Sequence, residues 1–125
     1  MNFRKDGNMG KKILLVEDEK DLRTLYQEEL REEGYEIVPA RNGDDALRKL
    51  EKAHPDLVLL DIVMPGLDGI QTLSMIKAKD RGIPVIFHSS HLHFQMDPKA
   101  QAANGFVRKT SDLKELKENI QELLG

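Results

Sequence analysis

Residues 55–69 read PDLVLLDIVMPGLDG, and this stretch decides the fold prediction. Its first part, Asp56–Asp61, is an apolar run that ends abruptly on an acid, as is typical of a strand buried on both faces of a parallel sheet. Met64–Gly69 contains proline and glycine and predicts a loop, and Ile70–Lys79 has the apolar spacing of a helix. A strand, a loop and a helix in this order indicate one unit of an α/β fold.

The same alternation of apolar strands and amphipathic helices continues on both sides of this stretch. We predict four further strands, at Ile13–Val16, Tyr35–Pro39, Ile83–His88 and Gly105–Arg108. We predict four further helices: one from near Lys20 to Gly34, then Asp44–Ala53, a short one opened by Asp97 and Pro98, and Ser111–Leu124. Five strands alternating with five helices predict a parallel sheet with helices on both faces.

Length and composition restrict the class of protein further. The chain has 125 residues, of which 39% are hydrophobic and 33% charged, and these values are ordinary for one globular domain. A net charge of −3 argues against general nucleic-acid binding, which usually needs a basic excess. The sequence lacks cysteine and any apolar run of membrane-spanning length, which excludes thiol chemistry, disulfides and a membrane span. We expect a cytoplasmic domain at residues 12–125 after a polar, flexible leader at residues 1–11.

Polar side chains of complementary chemistry follow four of the five predicted strands. Glu17 and Asp18 follow the first strand, Asp61 ends the third, Ser89 follows the fourth, and Lys109 follows the fifth. In a parallel sheet the carboxyl ends of the strands meet at one edge, where doubly wound folds bind their ligands. We therefore expect three carboxylates, a hydroxyl and an amine to gather in one cleft.

Three carboxylates in one cleft repel one another unless a proton or a cation lies among them. Two unit charges 4 Å apart cost about 4 kcal/mol at an effective dielectric constant near 20. Oxygen ligands without cysteine or histidine suit Mg²⁺, and a carboxylate can accept a phosphoryl group as an aspartyl phosphate. Asp61 is the strongest nucleophile candidate because it ends a central strand.

Each of these acids alone more often has a structural role, and Asp18 could simply cap the next helix. Only the five residues taken together therefore favour phosphoryl transfer.

Several segments together resemble the receiver domain of response regulators, the CheY-like family of two-component signal transduction. They are KILLVEDEKDLR at 12–23, PDLVLLDIVMPGLDG at 55–69, IPVIFHSS at 83–90 and GFVRK at 105–109. The resemblance covers residues 12–124, and it implies a doubly wound, flavodoxin-like (βα)5 fold with strand order 2-1-3-4-5. It also implies a phosphorelay switch that is activated by Mg²⁺-dependent phosphorylation and is not an enzyme in the usual sense.

The resemblance implies a metal-dependent phosphorylation site in this cleft. Asp61 is implied as the phosphate acceptor, and Asp18 as a direct Mg²⁺ ligand. Glu17 is implied to act on the metal through a coordinated water, and Val63 through its backbone carbonyl. A sensor histidine kinase or a phosphotransfer protein is the implied phosphoryl donor.

Three further residues match the switch positions of the family. Ser89 and Lys109 are implied to contact the phosphoryl group, and Phe106 is implied to swing inward on activation. The implied output is a changed surface of the fourth helix, the fifth strand and the fifth helix, which a downstream protein partner reads. We expect no contact with nucleic acid or membrane through this chain.

The chain departs from the family pattern after Ser89. Lys109 follows Ser89 by 20 residues, which is short for the family. Pro98 delays the fourth helix and leaves a long loop at Ser90–Met96, which puts the usual output surface in question. Thr110 stands where the family usually has proline, so we expect a trans or differently shaped loop there.

Three histidines, His88, His91 and His93, lie at the end of the fourth strand and in this loop. They could form a transition-metal site, but their spacing matches no rigid metal motif, so a polar loop with one strand histidine is the favoured interpretation. His91 and Val63 are the candidates for setting the lifetime of the phosphoryl group. Because the side chain of Val63 cannot polarise water, we expect slow to moderate dephosphorylation.

Two other functions remain open from the sequence. A degenerate receiver would act as a phosphorylation-independent interaction module, which Thr110 and the shortened fourth helix allow. A phosphohydrolase of the aspartyl-phosphate type usually has a second acid two residues after its nucleophile, where this chain has Val63. A nucleotide-binding domain is excluded, because the first strand leads into EDEKD rather than a glycine-rich loop.

Overall fold

The computed structural model describes residues 10–125, so the first nine residues of the predicted leader lie outside the described residues. Its centre is one sheet of five parallel strands in the order β2-β1-β3-β4-β5. The strands are β1 Lys12–Val16, β2 Glu36–Ala40, β3 Leu57–Leu60, β4 Val85–Ser89 and β5 Gly105–Arg108. The predicted doubly wound fold and its strand order are confirmed.

Four α-helices flank this sheet: α1 Lys20–Glu32, α2 Gly43–Ala53, α3 Gly69–Lys79 and α4 Lys114–Leu124. Asn42 and Asp68 cap α2 and α3, each accepting a hydrogen bond at 2.8 Å from the backbone N–H three residues later. Gln71 bonds back to the Asp68 backbone N–H and completes a capping box. These caps explain why α2 and α3 begin where they do.

The strands are buried on both faces, as their uninterrupted apolar runs predict. Leu14 and Leu60 point to one face of the sheet and pack with apolar residues of α2 and α3. Leu15 and Leu59 point to the other face and pack with apolar residues of α1 and α4. The strand register keeps the carboxyl ends of β1, β3, β4 and β5 close to level, so the residues that follow these strands share one edge.

The structure corrects the predicted fourth helix. In place of an α-helix, the chain between β4 and β5 forms two short 3₁₀ helices, Leu92–Met96 and Pro98–Ala102. The side chain of Asp97 caps the second one, as the Asp-Pro pair predicts. Asn104 ends it, because its backbone N–H and its side-chain oxygen both bond Val85 at the start of β4, at 2.7 and 2.9 Å. Only a few residues separate Asp97 from Asn104, and so short a segment favours the i→i+3 hydrogen bonds of a 3₁₀ helix.

The bounds of β5 are those predicted, and the boundaries of the remaining elements differ from the predicted ones by three residues at most. The predicted loop at Ser90–Met96 is partly ordered, because the first 3₁₀ helix lies within it. Of the helices described between residues 10 and 125, none combines the length and apolar character needed to cross a lipid bilayer.

Candidate functional site

Three carboxylates meet at the carboxyl edge of the sheet. Glu17 and Asp18 follow β1, Asp61 follows β3, and one oxygen from each lies within 4.8 Å of the other two. Glu17 and Asp61 are only 2% and 7% exposed, whereas Asp18 is exposed. The acidic cluster therefore combines two buried carboxylates with one that faces solvent.

Lys109 supplies the positive charge of this cluster. Its Nζ lies 2.6 Å from Glu17 Oε1 and 3.0 Å from Asp61 Oδ2. Burial lowers the pKa of Lys109, but its contacts with the two carboxylates outweigh burial and raise the pKa overall, so the ammonium stays charged. Burial raises the pKa of Glu17, although the hydrogen bond and charge of Lys109 oppose the rise. One ammonium cannot balance three carboxylates, which leaves excess negative charge.

Arg23, which sequence reasoning missed, fixes the loop that carries Glu17 and Asp18. It lies in α1, and its Nη1 donates hydrogen bonds to the backbone carbonyls of Glu17 at 2.8 Å and Asp18 at 3.4 Å. The backbone N–H of Glu19 also donates to Glu17 Oε2 at 3.2 Å. No periodicity or spacing in the sequence marks a contact from a side chain to a backbone carbonyl. These bonds fix the backbone of Glu17 and Asp18 and the carboxylate of Glu17.

The position of Asp61 depends on close backbone contacts with its neighbours. Its N–H donates to the carbonyl of Val16 at 3.3 Å, and the N–H of Gly69 donates to the carbonyl of Ile62 at 2.7 Å. A Cβ at Gly69 would collide with the carbonyl oxygen of Asp61 and the Cα of Ile62. The sequence predicts Gly69 only as part of a loop, because its approach to Asp61 arises from the tertiary fold.

Ser89 ends β4 and is fully buried. Its backbone carbonyl accepts a hydrogen bond from the backbone N–H of Lys109 at 3.1 Å, which places the ends of β4 and β5 side by side. Its Oγ accepts a hydrogen bond from the backbone N–H of His91, also at 3.1 Å. A hydroxyl has one proton and two lone pairs, so the bond from His91 leaves the Ser89 proton able to donate.

The aromatic and loop candidates lie around this edge. Phe106 is half-buried on β5 and packs against Phe87 of β4, with ring centroids 5.6 Å apart and planes inclined by 40°. Val63 is 46% exposed in the loop after β3. The peptide bond at Thr110 is trans, and its Oγ1 donates to the carbonyl of Asp112 at 2.7 Å.

The histidines do not form a metal site with the acids. His91 and His93 are exposed, with ring centroids 6.1 Å apart. His88 is only 3% exposed and packs edge-on against Tyr26 with centroids 4.9 Å apart. Within residues 10–125, the acidic cluster is the only group of three or more potential metal ligands, and it contains no histidine.

Burial governs the chemistry of His88. Its Nε2 has no hydrogen-bond partner in the described part of the chain. Burial, reinforced by the charge of Lys109 and opposed by that of Asp61, lowers the pKa of His88 to about 4. The imidazole is therefore neutral at physiological pH and contributes no charge to the site.

The site combines oxygen ligands, a charged amine and a hydroxyl. Oxygen-only ligands with excess negative charge suit a hard divalent cation. An ammonium and a hydroxyl beside a carboxylate can stabilise the oxygens of a phosphoryl group on that carboxylate.

Comparison with known proteins identifies the family of the chain. The family described as response regulator receiver domain matches residues 13–121. The chain belongs to this family. This receiver is 36% identical over 118 residues to the sporulation initiation phosphotransferase F of Bacillus subtilis, a match that covers 93% of the chain and 95% of the relative. It is 40% identical over 78 residues to PhoP, the alkaline phosphatase synthesis transcriptional regulatory protein of Bacillus subtilis, covering 62% of the chain but 32% of that relative.

Solved receiver structures agree with the fold of the chain. The response regulator TrrA of Thermotoga maritima, crystallised with Mg²⁺-BeF, matches with a TM-score of 0.88 and 42% identity, covering 90% of this chain and 98% of TrrA. A crystal structure of the histidine kinase ThkA in complex with TrrA gives a TM-score of 0.86 at 42% identity, covering 92% of this chain and 99% of the matched chain. The resemblance identified from the sequence is thereby confirmed.

Proposed function

We propose that this receiver is a signalling switch of a two-component phosphorelay and accepts a phosphoryl group on Asp61. The observation that carries the proposal is the position of Lys109, whose ammonium bridges Asp61 and Glu17 in the acidic cluster. A histidine kinase or a phosphotransfer protein is the proposed donor, and the crystal complex of TrrA with ThkA supports this choice. The receiver catalyses its own phosphorylation and dephosphorylation and has no other substrate.

Mg²⁺ is the proposed cofactor. Asp18, Asp61 and the backbone carbonyl of Val63 would hold the ion, and Glu17 would act through a coordinated water. The excess negative charge and the oxygen donors support this choice, as does the crystallisation of TrrA with Mg²⁺-BeF. When bound, Mg²⁺ neutralises charge on the phosphoryl oxygens during transfer.

The transfer moves a phosphoryl group from a donor imidazole nitrogen to a carboxylate oxygen of Asp61. The N–P bond breaks and its electron pair returns to the imidazole, while an O–P bond forms at Asp61. Lys109, which already bonds Asp61 Oδ2, holds one phosphoryl oxygen. The free proton of the Ser89 hydroxyl donates to another.

The output begins at Ser89. When Ser89 turns towards the phosphoryl group, its bond with the N–H of His91 transmits the movement to the two 3₁₀ helices. Phe106, half-buried against Phe87, fills the space that Ser89 leaves. A downstream protein then reads a surface made of the 3₁₀ helices, β5 and α4, which replaces the helix that the family resemblance implies.

Val63 and His91 are proposed to set the lifetime of the phosphoryl group. Val63 is exposed, so water can approach, but its apolar side chain cannot orient that water for attack. His91 is exposed two residues after Ser89, and its backbone N–H donates to Ser89 Oγ. We expect slow to moderate dephosphorylation, and a half-life of seconds would contradict this part of the proposal.

Intact mass measured after incubation with acetyl phosphate and Mg²⁺ tests the proposed function. We expect one phosphoryl group on the wild type and none on Asp61→Asn or in the presence of a chelator. Asp80→Asn makes the same chemical change at the opposite end of the sheet, where Asp80 ends α3, and should accept the group like the wild type.

Two outcomes would reject the proposal. If a folded wild type binds Mg²⁺ but gains no mass, the chain is a degenerate receiver that acts without phosphorylation. If Asp61→Asn still gains a phosphoryl group, the acceptor is another residue.

A further inference from the structure

A small basic concavity lies beside the acidic cluster, at the carboxyl end of β2. It has a volume of about 290 Å³ and is lined by Arg23, Pro39, Arg41, Asp45 and Lys49. It adjoins the cluster because the backbone N–H of Glu17 bonds the carbonyl of Ala40, at 3.0 Å, and because Arg23 bonds the Glu17 carbonyl. Two neighbouring sites on this edge therefore have opposite charge.

The single carboxylate of this concavity is already fully engaged. Asp45 is only 8% exposed and accepts hydrogen bonds at 3.2 Å from the Arg41 backbone N–H and from Arg48 Nη2. Lys49 Nζ also lies 3.2 Å from Asp45. Burial raises the pKa of Asp45, but these partners outweigh burial and lower it overall. The carboxylate is therefore ionised and organises the basic side chains around it.

Asp45 pairs with Lys49 and Arg48, so the charges of Arg23 and Arg41 have no carboxylate partner within the concavity. Lys49 Nζ donates to the carbonyl of Pro39 at 2.6 Å, and Arg23 Nη1 donates to two backbone carbonyls. Arg41 is an exposed residue of the concavity lining, and its guanidinium has no ion-pair partner in the described part of the chain. The concavity thus holds more positive charges and unused N–H donors than Asp45 can satisfy.

We propose that this basic concavity binds an oxyanion of the phosphate class, as free phosphate or as a phosphomonoester. Arg41 and Arg23 present planar guanidinium groups, which match the tetrahedral oxygens of a phosphate by paired hydrogen bonds. Lys49 adds a point charge with a remaining donor. The site is separate from Asp61, and its occupancy does not require Mg²⁺ or phosphorylation.

A titration monitored by ¹H–¹⁵N NMR of the full chain tests the proposal. Inorganic phosphate is added without Mg²⁺, with chelator present and with ionic strength held constant by NaCl. We expect saturable shifts of the amides at residues 40–49 in the wild type and equally in Asp61→Asn. Arg41→Gln should weaken the affinity at least about tenfold, because a charge-assisted contact is lost. Arg81→Gln, the same change in the turn between α3 and β4, should leave it unchanged.

Two other results of the phosphate titration would overturn the proposal. Shifts that do not saturate, or that are equal in Arg41→Gln and the wild type, would overturn the proposal. Binding that is lost in Asp61→Asn but kept in Arg41→Gln would place the anion at the acidic cluster and also overturn it. If phosphate binds as expected, a parallel titration with AMP distinguishes a phosphomonoester from free phosphate. Tighter binding of AMP than of phosphate assigns the site to a nucleotide phosphate, and equal or weaker binding assigns it to the free oxyanion.

Discussion

The ammonium nitrogen of Lys109 lies 2.6 Å from Oε1 of Glu17, although the two residues are 92 positions apart in the chain. Glu17 follows β1 and Lys109 follows β5, and two strands, β3 and β4, lie between β1 and β5 in the sheet. The ion pair therefore joins the residues that follow the first and the last strand across the carboxyl edge. Both partners are largely buried, so the pair links the stability of the fold to the charge of the site.

Lys109→Met should destabilise the metal-free protein strongly. The change leaves Glu17 and Asp61 buried without their cation, and breaking a buried pair in this way typically costs about 3–5 kcal/mol. Urea unfolding with chelator measures the loss. Mg²⁺ should restore more stability to the variant than to the wild type, because the ion then supplies the missing positive charge.

A surface lysine provides the matched control for this experiment. Lys117 pairs with Glu29 at 3.0 Å on the outer faces of α4 and α1, where both side chains are more exposed. Lys117→Met should change the free energy of unfolding by less than about 1 kcal/mol. Equal losses in the two lysine variants would show that the Lys109 contact behaves as an ordinary surface pair.

His88 should make the protein less stable as the pH falls below neutrality. The pKa of His88 is lowered from 6.5 to about 4 in the folded state, mainly by burial, so the unfolded chain binds more protons between these values. Stability is therefore present above pH 6.5 and is lost as the pH drops towards 4. The wild type should lose about 2 kcal/mol more than His88→Leu between pH 7 and pH 5.

Urea unfolding at several pH values measures this difference. His93→Leu makes the same change on an exposed loop and should keep the wild-type slope. A wild-type curve parallel to that of His88→Leu would mean that the buried imidazole does not contribute to the pH dependence.

Gly69→Ala should damage both the fold and the candidate site. A methyl group at this position collides with the backbone of Asp61 and Ile62, which cannot move without displacing the end of β3. We expect a loss of about 2–3 kcal/mol in stability and a marked fall in phosphorylation by acetyl phosphate. Gly82→Ala is the control: its new methyl group meets only Asp80 Oδ1 at 3.7 Å, so both measurements should stay near the wild type.

His54→Gly should stabilise the protein. His54 ends α2 with φ 50° and ψ 60°, a left-handed conformation that glycine adopts without steric cost. We expect a gain of about 0.5–1 kcal/mol in the free energy of unfolding. Lys52→Gly, within the same helix, should instead lower stability by about 1 kcal/mol, and a gain at both positions would refute the conformational explanation.

The sequence predicts those parts of the site that depend on strand ends. Glu17, Asp61 and Lys109 follow predicted strands, and a parallel sheet brings such residues to one edge. Arg23 and Gly69 could not be selected in this way, because their roles depend on contacts with backbone atoms of other segments. Patterns of side-chain type carry no information about such contacts.

The dependence on contacts with distant segments also explains why the sequence predicts the fourth helix incorrectly. Asp97 and Pro98 correctly mark the start of a helical turn. Its type depends on Asn104, whose bonds to Val85 fix where the chain must enter β5. This constraint acts between Val85 of β4 and a residue 19 positions later, and local helix propensity carries no information about it.

The two 3₁₀ helices also determine the shape that a binding partner meets. In an α-helix, side chains three and four positions apart form continuous ridges that a groove on another protein can grip. A 3₁₀ helix stacks side chains every third residue and rises about 2.0 Å per residue, so a five-residue segment forms no such ridge. Partners shaped to clasp a helical ridge between β4 and β5 of other receivers should fit this one poorly. The altered connection would thus keep downstream proteins that read a helical ridge from responding to this chain.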